Sequence, residues 1–118
     1  MSINYPPIID GSLGAFYDNK ISIPFTMNRS VGQNQIQGFK IRVKNINSNT
    51  LVFENTSANW NKEKSIITFT FTASQKNSLQ VPNFYKIQIA YIEKNTGAIS
   101  PFSTVGIAKY TAKPTVIV

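Results

Sequence analysis

Hydrophobic and polar residues alternate along most of this chain, and helical periodicity is nearly absent. The clearest case is FKIRVK, which begins at Phe39 and in which every apolar residue is followed by a cation. Because successive side chains of a strand point to opposite sides of a sheet, this segment predicts a strand with one buried and one basic side. The alternation predicts seven short strands: Pro6–Ile9, Lys20–Phe25, Phe39–Lys44, Leu51–Glu54, Ser65–Thr72, Tyr85–Ile92 and Thr104–Tyr110.

The apolar side of these strands supplies the predicted core. Burying large aliphatic and aromatic side chains at ~1.5–3 kcal/mol each is the stabilisation we expect in a chain without disulfides. Pro24 is the one conflict, since proline cannot donate to a central ladder, and it predicts a bulge or altered pairing there. The predicted core is Ile21, Ile23, Phe25, Phe39, Ile41, Val43, Ile67, Phe69, Phe71, Ile87, Ile89 and Val105.

Turns rich in Asn, Ser, Gly and Pro separate the strands at the spacing expected of an antiparallel sandwich. Gly11–Gly14 is one such predicted turn, and the polar segments Met27–Gln35 and Ala73–Asn83 have room for a helical turn. We therefore predict one domain over residues 1–111. Residues 112–118 are expected to be a tail or a linker to a further domain.

The segment LQVPNFYKIQIAYIEKNTGAISPFST, from Leu79 to Thr104, has a more specific order. Leu79 lies six residues before Tyr85, Pro82 lies between them, and an alternating run, a glycine turn and a Ser/Thr-rich return follow. This order resembles the strand F to strand G hairpin of a fibronectin type III domain. The resemblance implies an all-β, seven-stranded antiparallel immunoglobulin-like (fibronectin type III-like) β-sandwich, with a binding or spacer role.

The same resemblance implies that the hydroxyl of Tyr85 ties down the loop before its strand. The chain departs from the family in two places. The tryptophan that many such domains place in strand B is missing, so Phe25 would fill that volume, and Pro24 lies within that strand. Pro82 is also one position later than usual.

A second resemblance begins near the N-terminus. PPIIDGSLGAF, IPFTMNRSV, GFKIRVK and the closing STVGIAKYT are similar to N-terminal segments of large tail or virion structural proteins of bacteriophages from gut bacteria. This implies a non-enzymatic module, built into a particle, that contacts other virion proteins or copies of itself. Because MSINYPPIID lacks the basic leader and apolar core of a signal peptide, we expect synthesis in the host cytoplasm and localisation in the virion.

Composition removes several kinds of chemistry. The chain has no histidine, which is the commonest general base, and no cysteine, which would supply a thiolate nucleophile or metal ligand. The five carboxylates stand singly, no glycine-rich phosphate loop is present, and no apolar run approaches membrane-spanning length. We expect no catalytic residue, no metal site and no cofactor.

A formal net charge of +7 makes basic surfaces the first candidates for binding. If strands C and F are neighbours, as the resemblance implies, Lys40, Arg42 and Lys44 share an outer face with Lys86 and Gln88. Such a face would dock an acidic partner or, as a third functional alternative, nucleic acid. Nucleic-acid readers interleave exposed aromatics, and the positions between these cations are not aromatic. A solvated sheet face explains the same pattern.

Two aromatic residues complete the candidate contacts. Trp60 lies in a polar stretch that we predict to be a loop, where it either stacks on a sugar or a protein, or folds back to cap the core, which we favour. Phe102, near Pro101, is expected at the F–G hairpin. Together they support the alternative function: a bacterial surface or secreted module that recognises glycan or protein.

Overall fold

The structure is a computed structural model of the chain, and it describes residues 5–9, 15–26 and 32–112. The predicted turn at Gly11–Gly14 and nearly all of the predicted tail lie outside these ranges. A 3-10 turn at Gln33–Gln35 and a short helix α1, Ala73–Asn77, fall in the two segments predicted to carry a helical turn. The described strands are β1 (Ile8–Ile9), β2 (Phe16–Tyr17), β3 (Lys20–Thr26), β4 (Ile36–Asn45), β5 (Leu51–Asn55), β6 (Ala58–Asn61), β7 (Ile66–Thr70), β8 (Asn83–Glu93) and β9 (Ser103–Thr111).

The strands form a mixed sheet in the order β5-β4-β8-β9-β2-β3-β7-β6, and β1 pairs with β3. Strand β2 joins the group β5-β4-β8-β9 to the group β3-β7-β6, because it pairs with a strand of each group. Its pairing with β3 is antiparallel and its pairing with β9 is parallel. The all-β prediction is confirmed. Among the described residues, no helix is long and apolar enough to cross a membrane.

The strand count and direction differ from the prediction of seven antiparallel strands. Nine strands are described, and β2 and β6 are the two that the alternation did not predict. Two residues are too few to show a period, and the Asn-rich β6, ANWN, has the composition of a turn. The β2–β9 ladder is parallel, whereas the other ladders are antiparallel.

Side chains from both strand groups pack into one hydrophobic cluster. Phe25 on β3 lies 5.2 Å from Phe39 on β4 and 6.1 Å from Tyr91 on β8, measured between ring centroids. Neither β4 nor β8 is a sheet neighbour of β3, so these rings hold the two groups together across the core. Every predicted core residue except Val105 is buried.

Pro24 causes no bulge in the ladder between β3 and β7, so the first of the two predicted alternatives is wrong. The register runs without a shift from Lys20, opposite Thr70, to Pro24, opposite Ile66. The next residue, Phe25, donates its N–H to the carbonyl of Ser65 on the β7 side. Since successive N–H groups of a strand alternate in direction, the nitrogen of Pro24 faces away from β7 and the β3–β7 ladder loses no hydrogen bond.

A bulge explains why Val105 is only partly buried. Ile87 of β8 pairs with Gly106, but the next residue, Gln88, pairs with Thr104, so Val105 is the extra residue of β9. Gly106 has φ +139°, a conformation that residues with a Cβ rarely adopt. The bulge shifts the alternation by one position, which turns Ile107 outward and Ala108 inward.

Replacing Gly106 with asparagine is expected to lower the free energy of unfolding by about 1–3 kcal/mol, because φ +139° is nearly restricted to glycine. Gly97 provides the matched control, since its φ of +71° lies in the left-handed region that asparagine tolerates. Urea unfolding of both variants measures the difference. Equal losses at the two positions would contradict the assigned bulge conformation.

Tyr85 fixes the loop before its strand, as the resemblance to fibronectin type III domains implies. Tyr85 is buried, and its hydroxyl oxygen accepts a hydrogen bond of 2.9 Å from the backbone N–H of Gln80. Leu79, the residue before Gln80, is also buried against the core cluster. The loop is therefore fixed both by a hydrogen bond and by an apolar side chain.

Replacing Tyr85 with phenylalanine is expected to lower the free energy of unfolding by about 1 kcal/mol, because it removes one hydrogen bond and keeps the buried ring. Tyr17→Phe is the control, since Tyr17 is exposed. Thermal unfolding compares the two variants, and amide exchange at Gln80 should become faster only in Tyr85→Phe.

Helix α1 is anchored to β5 by a polar side-chain network. Thr72 and Gln75 form a capping box, with hydrogen bonds of 3.1 Å in both directions. The amide of Gln75 also donates to the carbonyl of Glu54 and accepts from Asn55, both at 2.8 Å. The capping glutamine therefore positions the helix on the end of β5.

Candidate binding face

The four cations predicted to share a face do so. Lys44 on β4 lies opposite Lys86 on β8, and Arg42 lies opposite Gln88. Directly opposed residues of an antiparallel pair project to the same side, and Lys40 follows at the same period. The basic face is defined here as the outward side of β5, β4, β8 and β9.

Arg42 is held at the centre of the basic face by two partners. Its Nε lies 2.8 Å from the Oε2 of Glu54, and its guanidinium carbon lies 3.8 Å above the ring centroid of Phe102. Glu54 also lies 3.3 Å from the Nζ of Lys40. Two residues singled out separately, Arg42 and Phe102, thus form one contact. The sequence does not reveal Glu54 as a partner of Arg42, because its place there depends on the β4–β5 register.

Arg42 and Lys40 lower the pKa of the Glu54 carboxyl. The hydrogen bond from Arg42 is the main cause that holds its pKa below the ordinary value, and Lys40 acts in the same direction, while desolvation opposes them. A carboxyl whose pKa falls on folding stabilises the protein above its unfolded-state pKa. That contribution is lost as the pH falls through the lower, folded-state pKa.

Acidification from pH 7 to below about 4 is therefore expected to remove a small stabilising contribution that depends on Glu54. Glu54→Gln should flatten this part of the stability curve and leave the rest unchanged. Urea unfolding across the pH range measures the free energy of unfolding of each variant. Glu63→Gln is the control at an exposed carboxylate. A steeper acid loss in Glu54→Gln would contradict the assignment.

Beyond Arg42, towards the C-terminal end of β4, the basic face carries apolar side chains among its lysines. Leu51, Lys44, Lys86 and Ile107 lie opposite one another in a row across the four strands, and Phe84 lies opposite Lys109 in the next position. Leu51, Phe84 and Ile107 are 50%, 49% and 54% exposed. We call these six residues the lysine–apolar patch: Lys44, Leu51, Phe84, Lys86, Ile107 and Lys109.

An exposed aromatic residue lies on the basic face beside the predicted cations, at a position that the sequence analysis did not consider. Phe84 lies on the outward side of β8 beside Lys86, and the Nζ of Lys109 is 5.9 Å from its ring centroid. The position was visible in the sequence, since Phe84 is two residues before Lys86 and shares its face by the strand period. The exposure of Ile107 was not visible, because it depends on the bulge at Gly106.

Trp60 lies on a strand, not in a loop, and it points to the core. It is opposite the buried Ile67, and its ring centroid is 5.4 Å from Phe25 and 5.2 Å from Phe39 in edge-on contacts. The Nζ of Lys62 lies 5.0 Å from the ring centroid. This position agrees with the favoured expectation that Trp60 packs on the core.

The two aromatics invoked for glycan recognition are not brought together. Trp60 contacts Phe39 on the inner side of β4, whereas Phe102 contacts Arg42 on its outer side. Phe39 and Arg42 differ by an odd number of positions and so project from opposite faces of the strand. A single glycan site built from both aromatics has no support in this arrangement.

No group of three or more acidic, histidine or cysteine side chains that could hold a metal ion occurs in the part of the chain that the structure describes. The chemistry available on the basic face is ionic and apolar contact. A comparison with models of known protein families finds no match, and a comparison with curated proteins finds no significant similarity.

Proposed function

We propose that this chain is a non-enzymatic structural module of a bacteriophage virion, most simply a tail component, and that it works through protein–protein contacts. The observation that carries the proposal is the basic face, where exposed apolar side chains lie among cations on four hydrogen-bonded strands. A sheet holds such a mixture of cations and exposed apolar side chains in fixed positions, where a partner that offers carboxylates and apolar groups can contact both.

The proposal includes an immunoglobulin-like β-sandwich of the fibronectin type III kind. The strand order supports it, because β1-β3-β7-β6 corresponds to strands A, B, E and D of such a sandwich and β4-β8-β9 to strands C, F and G. The buried Tyr85 with its hydrogen bond to the preceding loop is further support. Strand β5 adds to the edge of the second group, and β2 links the two groups.

Placement in a virion draws its support from the resemblance of PPIIDGSLGAF, IPFTMNRSV, GFKIRVK and STVGIAKYT to phage tail and virion proteins. A particle component needs stable surfaces for neighbouring proteins and no active site. The basic face meets that requirement, since Arg42 is fixed between Glu54 and Phe102 and does not have to be ordered on binding.

Mass spectrometry of purified particles tests the proposal. We expect the chain at a fixed stoichiometry relative to the tail proteins, and an antibody against it should label one part of the particle in electron micrographs. A charge reversal at the centre of the face, Arg42→Glu, should reduce incorporation, whereas Lys64→Glu in the exposed turn after β6 should not. A monomeric protein absent from purified particles would refute the proposal.

A further inference from the structure

The lysine–apolar patch brings like charges together on the basic face. Lys44 and Lys86 are directly opposite across β4 and β8, an arrangement that destabilises a sheet. Lys109 lies one strand further, on the same side. Among the described residues, the recorded ion pairs of Glu54 and Asp18 involve other cations, so none of these three lysines has a carboxylate within ion-pair distance. An acidic group bound here would relieve the repulsion.

The apolar half of the patch is distributed among the same lysines. Leu51 and Ile107 stand at the two ends of the row that contains Lys44 and Lys86, about 14 Å apart if neighbouring strands are about 4.8 Å apart. Phe84 lies beside the row. A partner that covers the whole patch therefore has to offer both carboxylates and apolar side chains.

A second copy of this chain that presents the same patch does not meet that requirement. In a two-fold contact the same patch faces itself, which would place lysine against lysine. The only carboxylate described on the basic face, Glu54, already lies within 3.3 Å of Lys40 and 2.8 Å of Arg42. Self-association through this patch would bury unpaired positive charge, which is strongly unfavourable.

Single-stranded nucleic acid fits less well than protein. Bases bind by stacking on open aromatic rings, and Phe102 already has the Arg42 guanidinium above it at 3.8 Å. Phe84 is the other ring of the face, and the exposed side chains across the row, Leu51 and Ile107, are aliphatic and offer no stacking surface. Aliphatic side chains do pack against the apolar residues of a protein partner.

We propose that the lysine–apolar patch binds an acidic segment of a different protein, whose carboxylates pair with Lys44, Lys86 and Lys109 and whose apolar side chains cover Leu51, Phe84 and Ile107. The inference deepens the proposed function and rests on it, because it names the surface and the chemistry of one contact. The apolar contacts and the ion pairs both contribute to the affinity, and the lysines also set the orientation and select against basic partners.

Fluorescence anisotropy with a defined probe tests this. The probe is a short labelled peptide in which Glu alternates with Leu and Phe. Two matched peptides carry Gln in place of Glu, or Ser in place of Leu and Phe. We expect the first peptide to bind the full chain at least about tenfold more tightly than either matched peptide.

Variants locate the contact. Lys44→Ala combined with Lys86→Ala, and separately Ile107→Ser, should each weaken binding of the acidic apolar peptide at least about tenfold. Lys64→Ala, a lysine in the exposed turn between β6 and β7, should change it by less than about twofold. Circular dichroism of each variant confirms that the substitution leaves the fold intact.

Three results would overturn the inference: no binding of the acidic apolar peptide, equal binding of the Ser-substituted peptide, or tighter binding of an oligothymidylate that depends on the same lysines. The last result would assign the patch to nucleic acid. Absence of the chain from particles removes only the virion role, whereas failed peptide binding in a particle component removes only this inference.

Discussion

Phe39→Ala is expected to lower the free energy of unfolding by about 3–5 kcal/mol, the usual cost of emptying a large aromatic site in a core. The side chain is 1% exposed, and its ring centroid lies 5.2 Å from Trp60 and 5.9 Å from Tyr91. Together with its contact to Phe25, these rings connect strands of both groups. The cavity left by alanine would therefore weaken the packing between the groups, not only within one of them.

Phe84→Ala is the matched control, since it removes the same side chain from an outward position that is half exposed. We expect it to cost less than about 1 kcal/mol. Urea unfolding of both variants gives the comparison, and Phe39→Leu supplies a smaller loss if the alanine variant does not fold. Similar losses for Phe39→Ala and Phe84→Ala would contradict the assignment of inner and outer faces.

Asn55→Ala is expected to cost about 2–4 kcal/mol, although the side chain is short and polar. Its Oδ1 accepts from the backbone N–H of Ser57 at 2.7 Å, and its Nδ2 donates to the carbonyl of Thr70 at 3.1 Å and to Gln75 at 2.8 Å. The residue is 7% exposed, so water cannot replace these bonds freely. Alanine would leave the groups at the end of β5 and α1 without their partners.

Asn55→Asp keeps the shape of the side chain and removes its hydrogen-bond donor. The carboxylate keeps the acceptor for Ser57 but turns a negative oxygen towards the carbonyl of Thr70, so we expect a loss at pH 7 as large as that of alanine. Asn59→Ala on the exposed side of β6 is the control and should stay within about 0.5 kcal/mol of the unaltered protein. An aspartate variant of normal stability would disprove the role of Nδ2.

The alternation of apolar and polar residues predicted the long strands and their buried sides well. The predicted positions on β3, β4, β7 and β8 are all buried, because a period of two is sustained over enough residues to be recognised. Val105 is the exception, since the bulge at Gly106 interrupts the period where no local pattern reveals it. The Tyr85 hydrogen bond followed from the family resemblance and not from alternation.

The candidate site was predicted in part for a related reason. The shared face of Lys44 and Lys86 requires only that β4 and β8 are neighbours, which the resemblance supplied. The pairing of Arg42 with Glu54 and the outward position of Ile107 depend on strand register and on a bulge. These features arise from contacts between distant segments, so no window of the sequence contains them.

The parallel pairing of β2 with β9 affects how the protein would bear mechanical load. Phe16 and Tyr17 lie opposite Tyr110 and Thr111, near the two ends of the described chain, and both strands run in the same direction. Tension applied to the chain before β2 and after β9 would slide these strands along each other and load their hydrogen bonds simultaneously. The ring of Phe16, 5.0 Å from that of Tyr110, adds side-chain resistance to that sliding. The short parallel ladder between β2 and β9 would thus bear that force in shear.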